Sequence, residues 1–290
     1  MKLLVRHQTI YRYAASAGRV AMRLKLMPVD TPAQQVLEWR VSINDEPLSG
    51  FARNSYGEME TIWIRHDRLD HAIIVAEGLV QTRETHGVVG APDSRVDPRY
   101  FLRDTALTRA SAPIAAMARA MPTTGGPLAQ LHALSAAVSD AVQYRAGVTT
   151  ADTTAAQSFA LGAGVCQDHA QIFIAAARTL GLPSRYVSGY LLAGDGNALH
   201  ETHGWAETLV PSLGWIGFDP SNRVCVTERY LRLASGLDAH EAAPIRGSIT
   251  VAGDILIDAD VRIAQADDGV EERQLQKQQQ QATPPPDPEG

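Results

Sequence analysis

The stretch Gly164-Val165-Cys166-Gln167-Asp168-His169-Ala170 decides how this chain is read, because its thiol is followed by His203-Gly204-Trp205-Ala206-Glu207 and then by Gly217-Phe218-Asp219-Pro220. A thiol is only slightly ionised near neutrality, so attack on a carbonyl needs a base to hold the proton and a third group to orient that base. Cys166, His203 and Asp219 supply those three roles and are the candidate catalytic residues.

Downstream of the thiol, Ala170, Phe173, Ile174, Ala177 and Leu180 recur three or four residues apart. This predicts a helix with one apolar stripe, ended by Gly181 and Pro183. Cys166 falls in its first turn, where unpaired amides and the positive end of the macrodipole favour negative charge on sulfur and can hold an oxyanion. Gly162 and Gly164 permit close backbone approach there. Cys225, between Val224 and Val226, has no base nearby and reads as structural.

Further along, His203, Trp205, Glu207 and Leu209 alternate with Gly204, Ala206, Thr208 and Val210. Pro211-Ser212-Leu213-Gly214 reads as a turn, and Trp215 to Asp219 alternates again. An antiparallel hairpin folded near residue 212 brings His203 and Asp219 to one open end, where the carboxylate can fix the imidazole tautomer. Trp205 and Trp215 read as core packing, given the area an indole buries.

Upstream of the thiol, Thr154-Ala155-Ala156-Gln157 fits a capping box that opens a short helix ending at Gly162. Leu128, Leu131, Leu134, Val138 and Val142 form a helical stripe with Gly147 as its stop, and Asp97-Pro98 marks the start of the helical region. Residues 3 to about 85 instead show a two-residue period. Val20, Met22, Leu24 and Leu26 alternate with Ala21, Arg23, Lys25 and Met27, which predicts a half-buried sheet with Lys25 on its polar face. Further strands are predicted over 3–13, 36–43, 60–65 and 72–80. A late alternating stretch, 255–263, can pack on either part of the chain. After Gly269 the composition turns to Gln and Pro, which predicts a disordered tail.

The chain has 290 residues, 45% hydrophobic and 20% charged, which is enough for about two domains of ordinary globular composition. A net charge of −6 supplies no basic field for nucleic acid. No apolar run is long enough for a membrane span. Two cysteines without an apolar leader point to free thiols and a cytoplasmic location. Cys166, His169, His200, His203 and Asp219 also offer metal ligands, but their spacing matches no usual zinc pattern. Neither a metal nor a cofactor is expected.

Taken together, these motifs resemble the transglutaminase-like superfamily, in particular the bacterial transglutaminase-like cysteine protease group. The resemblance is carried by Thr153-Thr154-Ala155, Gly164-Val165-Cys166-Gln167-Asp168, Arg178 with Gly181-Leu182-Pro183, and Arg185-Tyr186-Val187-Ser188-Gly189-Tyr190. It continues through the His203 and Asp219 blocks as far as Ser221-Asn222. His7-Gln8-Thr9-Ile10-Tyr11-Arg12-Tyr13 resembles the β-domain that precedes the core in that group. Departures are His169, where the group often has an aromatic residue, and Gln171, where a histidine is common; both are read as neighbours of the pocket. The resemblance implies an α+β fold with a papain-like transglutaminase core: a helix bearing the cysteine packs on an antiparallel sheet, preceded by an all-β domain. It divides the chain into an N-terminal β-domain at 1–90, a catalytic domain at 91–268 and a tail at 269–290. It also implies Cys166, His203 and Asp219 as triad, and a peptide or protein amide as substrate. The implied activity is that of a protease or amidase; the alternatives are a protein-glutamine transglutaminase and a non-catalytic binding module of the same fold.

Overall fold

A computed structural model describes residues 1–90, 95–192 and 202–266; His200 and the Gln- and Pro-rich stretch after Gly269 lie outside them. The alternating N-terminal region forms strands β1 (Lys2–Ala17), β2 (Arg19–Met27), β3 (Gln34–Ile43), β4 (Met59–Arg65) and β5 (Leu69–Thr82). Leu3 and Val5 of β1 and Val20, Met22, Leu24 and Leu26 of β2 are buried, as a period of two requires. The same face of β1 carries His7 and Thr9 inward. There His7 Nδ1 lies 2.9 Å from the Tyr190 hydroxyl and Nε2 lies 3.0 Å from that of Thr9. Burial pushes His7 down to about 4, so the ring is neutral near pH 7.

Asp97-Pro98 starts only a single 3-10 turn, Pro98–Leu102, in which the Asp97 carboxylate accepts from the Arg99 N–H at 2.8 Å. Helices α1 (Ala112–Ala120), α2 (Gly126–Ala141), α3 (Ala155–Leu161) and α4 (Cys166–Thr179) follow. α2 stops well before Gly147, because Gln143–Tyr144 leave the helix to pair in parallel with Ala163–Gly164. The box at Thr154 is closed on both sides. Thr154 Oγ1 accepts from the Gln157 N–H at 3.2 Å, and Gln157 Oε1 accepts from the Thr154 N–H at 2.9 Å.

The apolar stripe predicted for α4 is buried, and so is every other residue from Asp168 to Arg178. Helices α1, α2 and α3 cover one side of it, and the antiparallel sheet covers the other. That sheet contains β6 (Ser184–Leu191), β7 (His203–Val210), β8 (Gly214–Asp219) and β9 (Tyr230–Gly236), in the order β8-β7-β6-β9. Ala206, Ile216 and Phe218 share a core with Phe173 and Ile174 of α4, and the Phe173 and Phe218 rings are 5.1 Å apart. Trp205 and Trp215 are buried in a second cluster with Val187 and Phe101.

After β9 the chain returns to the N-terminal strands. β10 (Ile245–Thr250) pairs antiparallel with β2, and β11 (Ile255–Gln265) pairs antiparallel with β1 from Tyr13↔Ile255 to Leu3↔Gln265. The result is a sandwich of two sheets, β11-β1-β5-β3 facing β10-β2-β4. One apolar cluster joins Leu3, Met22 and Leu24 of the sandwich to Tyr190, Leu231 and Leu233 of the α4-bearing unit.

Charges also cross this junction. Lys25, predicted on the polar face of β2, is only 1% exposed. β9 covers that face, and Lys25 Nζ lies 3.6 Å from Glu58 Oε2 and 3.3 Å from the Ser235 carbonyl. Arg232 Nη2 reaches Glu58 Oε1 at 2.8 Å, while its Nε lies 3.3 Å from Glu207 Oε1. Arg185 Nε donates to Glu207 Oε2 at 2.7 Å. Burial works against the Glu207 charge, but Arg185 and Arg232 outweigh it and hold the carboxyl below its ordinary range.

Replacing Glu58 with Ala leaves Lys25 and Arg232 buried without their shared carboxylate. The expected loss is about 3–5 kcal/mol of unfolding free energy, measured by urea denaturation. A loss below about 1 kcal/mol, the size of an exposed pair, would show that these charges do not hold the two units together.

Candidate active site

The thiol is placed by the way α4 begins. Asp168, at the third helical position, is buried, and its Oδ2 accepts from the Val165 N–H at 2.8 Å and from the Thr149 hydroxyl at 2.7 Å. This carboxylate clamps the entry turn so that Cys166 is the first residue of the helix, half-buried and free. Gly164 is required here: a Cβ on it would fall 2.6 Å from the Asp168 side chain.

Imidazole and carboxylate come from the β7–β8 hairpin. Its register runs from Val210↔Gly214 to Ala206↔Phe218, which leaves His203 and Asp219 at the open end. His203 Nε2 lies 2.6 Å from Asp219 Oδ2. Nδ1 is therefore the nitrogen left for the thiol, and the imidazole also shares a hydrogen bond with Cys166. Gly204, next to the histidine, has no room for a side chain, since a Cβ would lie 1.8 Å from the Tyr186 hydroxyl oxygen. The structure thus brings the three sequence-predicted residues together.

Asp219 is 1% exposed but surrounded by donors. Its Oδ1 accepts from the Ser221 N–H at 3.0 Å and the Ser221 hydroxyl at 2.6 Å. Its Oδ2 accepts from Asn222 Nδ2 at 2.7 Å and from the Tyr230 hydroxyl at 2.8 Å. Burial opposes its charge, but His203, Ser221 and Asn222 outweigh burial and hold the carboxyl well below the usual range. Burial likewise pulls His203 down. Hydrogen bonds to Asp219 and Cys166 and the charges of both overcome it, and the imidazole is raised to about 10.

Tyr230 was not predicted at this site. It arrives from β9, and nothing in the sequence around it signals a partner at Asp219. Its ring packs edge-on against Trp205 at 5.4 Å, and Trp205 stacks on His203 at 6.3 Å. His169 and Gln171, read as neighbours of the pocket, are both turned into the protein, and His169 stacks on Tyr144 of the cleft wall at 6.2 Å. The His169 nitrogens face the carbonyls of Val165 and Val142 at 2.9 and 2.8 Å, and Gln171 Nε2 donates to the Thr153 carbonyl at 3.2 Å. They tie α4 to the preceding segments and do not line the cleft. Cys225 lines a separate cavity beside His132 and Phe218, and burial pushes its thiol up. Among the described residues, no group of three or more His, Cys, Asp or Glu side chains is placed to hold a metal ion.

Cys166 and His203 open into a cleft of about 490 Å³, whose walls include Tyr144, Tyr186, Ala239 and Val261. Among the described residues, no helix is long and apolar enough to cross a membrane.

Comparison with known proteins places this geometry in context. Residues 115–220 match the model of the transglutaminase-like superfamily, and residues 3–81 match that of the bacterial transglutaminase-like N-terminal region. A candidate cysteine protease from Cytophaga hutchinsonii, known from its crystal structure, superposes with a TM-score of 0.73 at 20% identity. The match covers 92% of this chain and 91% of that one, and it shows a shared fold. An uncharacterized protein of Mycobacterium leprae is 25% identical over 275 residues, 90% of this chain and 98% of its own length. Another, from Mycobacterium tuberculosis, is 28% identical over 274 residues, 84% of this chain and 86% of its own.

The imidazole is expected to titrate near 10 rather than near its ordinary 6.5. Because the folded value is the higher one, the stabilisation from this proton is fully present below pH 6.5 and is lost as pH rises through about 10. For Asp219 the sign is reversed: its contribution is present above 3.8 and is lost as pH falls through the depressed folded value. Both statements describe one ion pair. NMR titration of the His203 ring, with unfolding of the wild type and His203→Asn compared across that interval, checks this. A midpoint near 6.5, or a stability difference that does not change with pH, contradicts it.

Proposed function

The chain belongs to the transglutaminase-like superfamily, and from that premise we propose that it cleaves amide bonds by acyl transfer through a thioester on Cys166. The observation that carries this reading is the 2.6 Å contact between His203 Nε2 and Asp219, which commits the other ring nitrogen to the thiol at the start of α4. A membership shared by enzymes of several reactions gives the class of chemistry; the site supplies the roles.

In this reading His203 takes the Cys166 proton and the sulfur attacks the amide carbonyl carbon while backbone amides at the helix start hold the developing oxyanion. The C–N bond breaks, His203 gives its proton to the departing amine, and the acyl group stays on sulfur. Water then attacks the thioester. His203 takes its proton, the C–S bond breaks, and the acid product leaves as that proton passes to the sulfur and restores the thiol. Asp219 holds the imidazole in one orientation throughout, and Tyr230 positions Asp219. We read the enzyme as a protease or amidase with a peptide or protein amide as substrate. An amine in place of water would convert the same thioester into a new amide. The two free thiols suit a reducing compartment, and we place the protein in the cytoplasm.

Cys166→Ala is expected to abolish hydrolysis of peptide amides and to remove the rapidly alkylated thiol seen by mass spectrometry; retained turnover refutes the assignment. If a folded wild-type chain forms no adduct with a thiol-reactive probe near neutral pH, the non-catalytic reading replaces this one. Hydrolysis assayed with and without an added primary amine separates the two acceptors, since transfer to the amine in preference to water identifies a transglutaminase.

Asp219→Asn is expected to lower kcat by roughly 10–100-fold, as when a charge-assisted bond to the imidazole is replaced by a neutral one, and to move the His203 titration midpoint down. Tyr230→Phe removes one charge-assisted bond, and the expected fall is about tenfold in kcat with little change in KM. An upward shift of the His203 titration midpoint should accompany it, because Asp219 then faces the imidazole with one competing donor fewer; a simple packing defect would leave that midpoint in place.

A further inference from the structure

We propose that a groove leading from the Cys166 cleft along the open side of the β-sandwich binds an extended peptide with apolar side chains, the part of the substrate to one side of the scissile amide. The inference rests on the reading above for its chemistry and adds to it the substrate class.

The cleft does not end at the thiol. A second cavity, of about 520 Å³, shares Ala151, His240 and Ala243 with it, so the two spaces adjoin. This second cavity opens between β10 and β11, each the terminal strand of its sheet. Ile245 and Ile249 of β10 form one wall and Ile255 and Ile257 of β11 the other, with Met22 from the sandwich core between them. Ile257 is 61% exposed. The sandwich is therefore open along this side, with apolar side chains at its mouth.

One face of β11 runs from the groove to the thiol. Ile255 and Ile257 line the groove, while Ala259 and Val261 of the same strand line the catalytic cleft. All four are odd-numbered, so they lie on one face of β11. From Ile255 to Val261 the strand rises roughly 20 Å, the length of about six residues of extended peptide. Asp258 and Asp260 belong to the other face. The wall changes from isoleucine to alanine and valine as it approaches the thiol, which leaves more room beside the reacting carbonyl.

The walls also specify the chemistry of the occupant. Among the described residues, the cleft is lined by no Asp, Glu, Lys or Arg. In the groove the charged groups are Asp152 and Arg246, and Asp152 Oδ1 lies 3.1 Å from His240 Nε2 at the junction. A charged substrate side chain would lose water there and find few partners. An extended backbone suits the site better: terminal strands recognise peptides by strand addition, with alternate side chains selected by pockets.

The test measures binding separately from turnover. Fluorescence anisotropy would follow a fluorescein-labelled six-residue peptide alternating Leu and Ser, added to the Cys166→Ala protein, against the same peptide with Glu in place of Leu. The Leu peptide is expected to bind at least about tenfold more tightly, and Ile257→Glu in the same protein to erase that preference. Ile249→Ser is a second, uncharged variant, expected to weaken the Leu peptide several-fold, and circular dichroism reports the folding of both. With Cys166 present, Ile257→Glu should lower kcat/KM for the long peptide amide by a similar factor and leave a dipeptide amide unchanged. Equal affinity for the two peptides, or no effect of Ile257→Glu in a folded protein, overturns the proposal. So does a dimer in sedimentation that Ile257→Glu converts to monomer, because the occupant is then a second copy. Tight binding of a peptide that wild type never cleaves defeats the acyl-transfer reading alone. Cleavage indifferent to both groove variants defeats the groove alone.

Discussion

Glu207, buried in the middle of β7 and held by Arg185 and Arg232, fixes the strand that also carries His203. A carboxylate removed from water stays charged only where cations and donors replace its solvent, and those partners cannot be moved without cost. Because Arg232 reaches on to Glu58, the position of the strand that carries His203 is set from the sandwich as well as from its own sheet. The N-terminal strands are therefore part of what holds the histidine.

The same rule governs the other end of β8. Asp219 is inaccessible yet accepts bonds from His203, Ser221, Asn222 and Tyr230. Its surroundings leave the imidazole little freedom to rotate, and Trp205 stacks against the ring. The thiol is fixed independently, through a helix buried on all sides whose first turn is clamped by Asp168. Two rigid supports meet at one point, which is the arrangement that accurate placement of a thiol against an imidazole requires.

Much of this was legible in the sequence where local periodicity carried it. The alternation on either side of Pro211-Ser212-Leu213-Gly214 was enough to put His203 and Asp219 at one hairpin end, and Thr154 with Gln157 announced α3. What could not be read depended on distant partners. Lys25 looks like a solvent-facing strand residue until Glu58 and β9 cover it. Tyr230 reaches Asp219 from a strand whose own neighbours give no hint of it. The stop of α2 was misplaced because Gly147 is a strong local signal, whereas pairing of Gln143–Tyr144 with Ala163–Gly164 is a tertiary choice. α4 shows one stripe in its sequence yet is buried all round, since small residues such as Ala175 and Ala176 suit any packed face.

The pairing of β11 with β1 has a consequence for the growing chain. Strand β1 is made well before the neighbour that covers its outer side. Synthesis proceeds from the N-terminus, and contacts between remote segments form slowly. During translation β1 therefore waits with one side uncovered, while Ala259 and Val261, which wall the space around the thiol, have yet to leave the ribosome. The thiol is consequently made before the enclosure around it, and a nascent chain carries Cys166 for some ninety codons before its surroundings are complete.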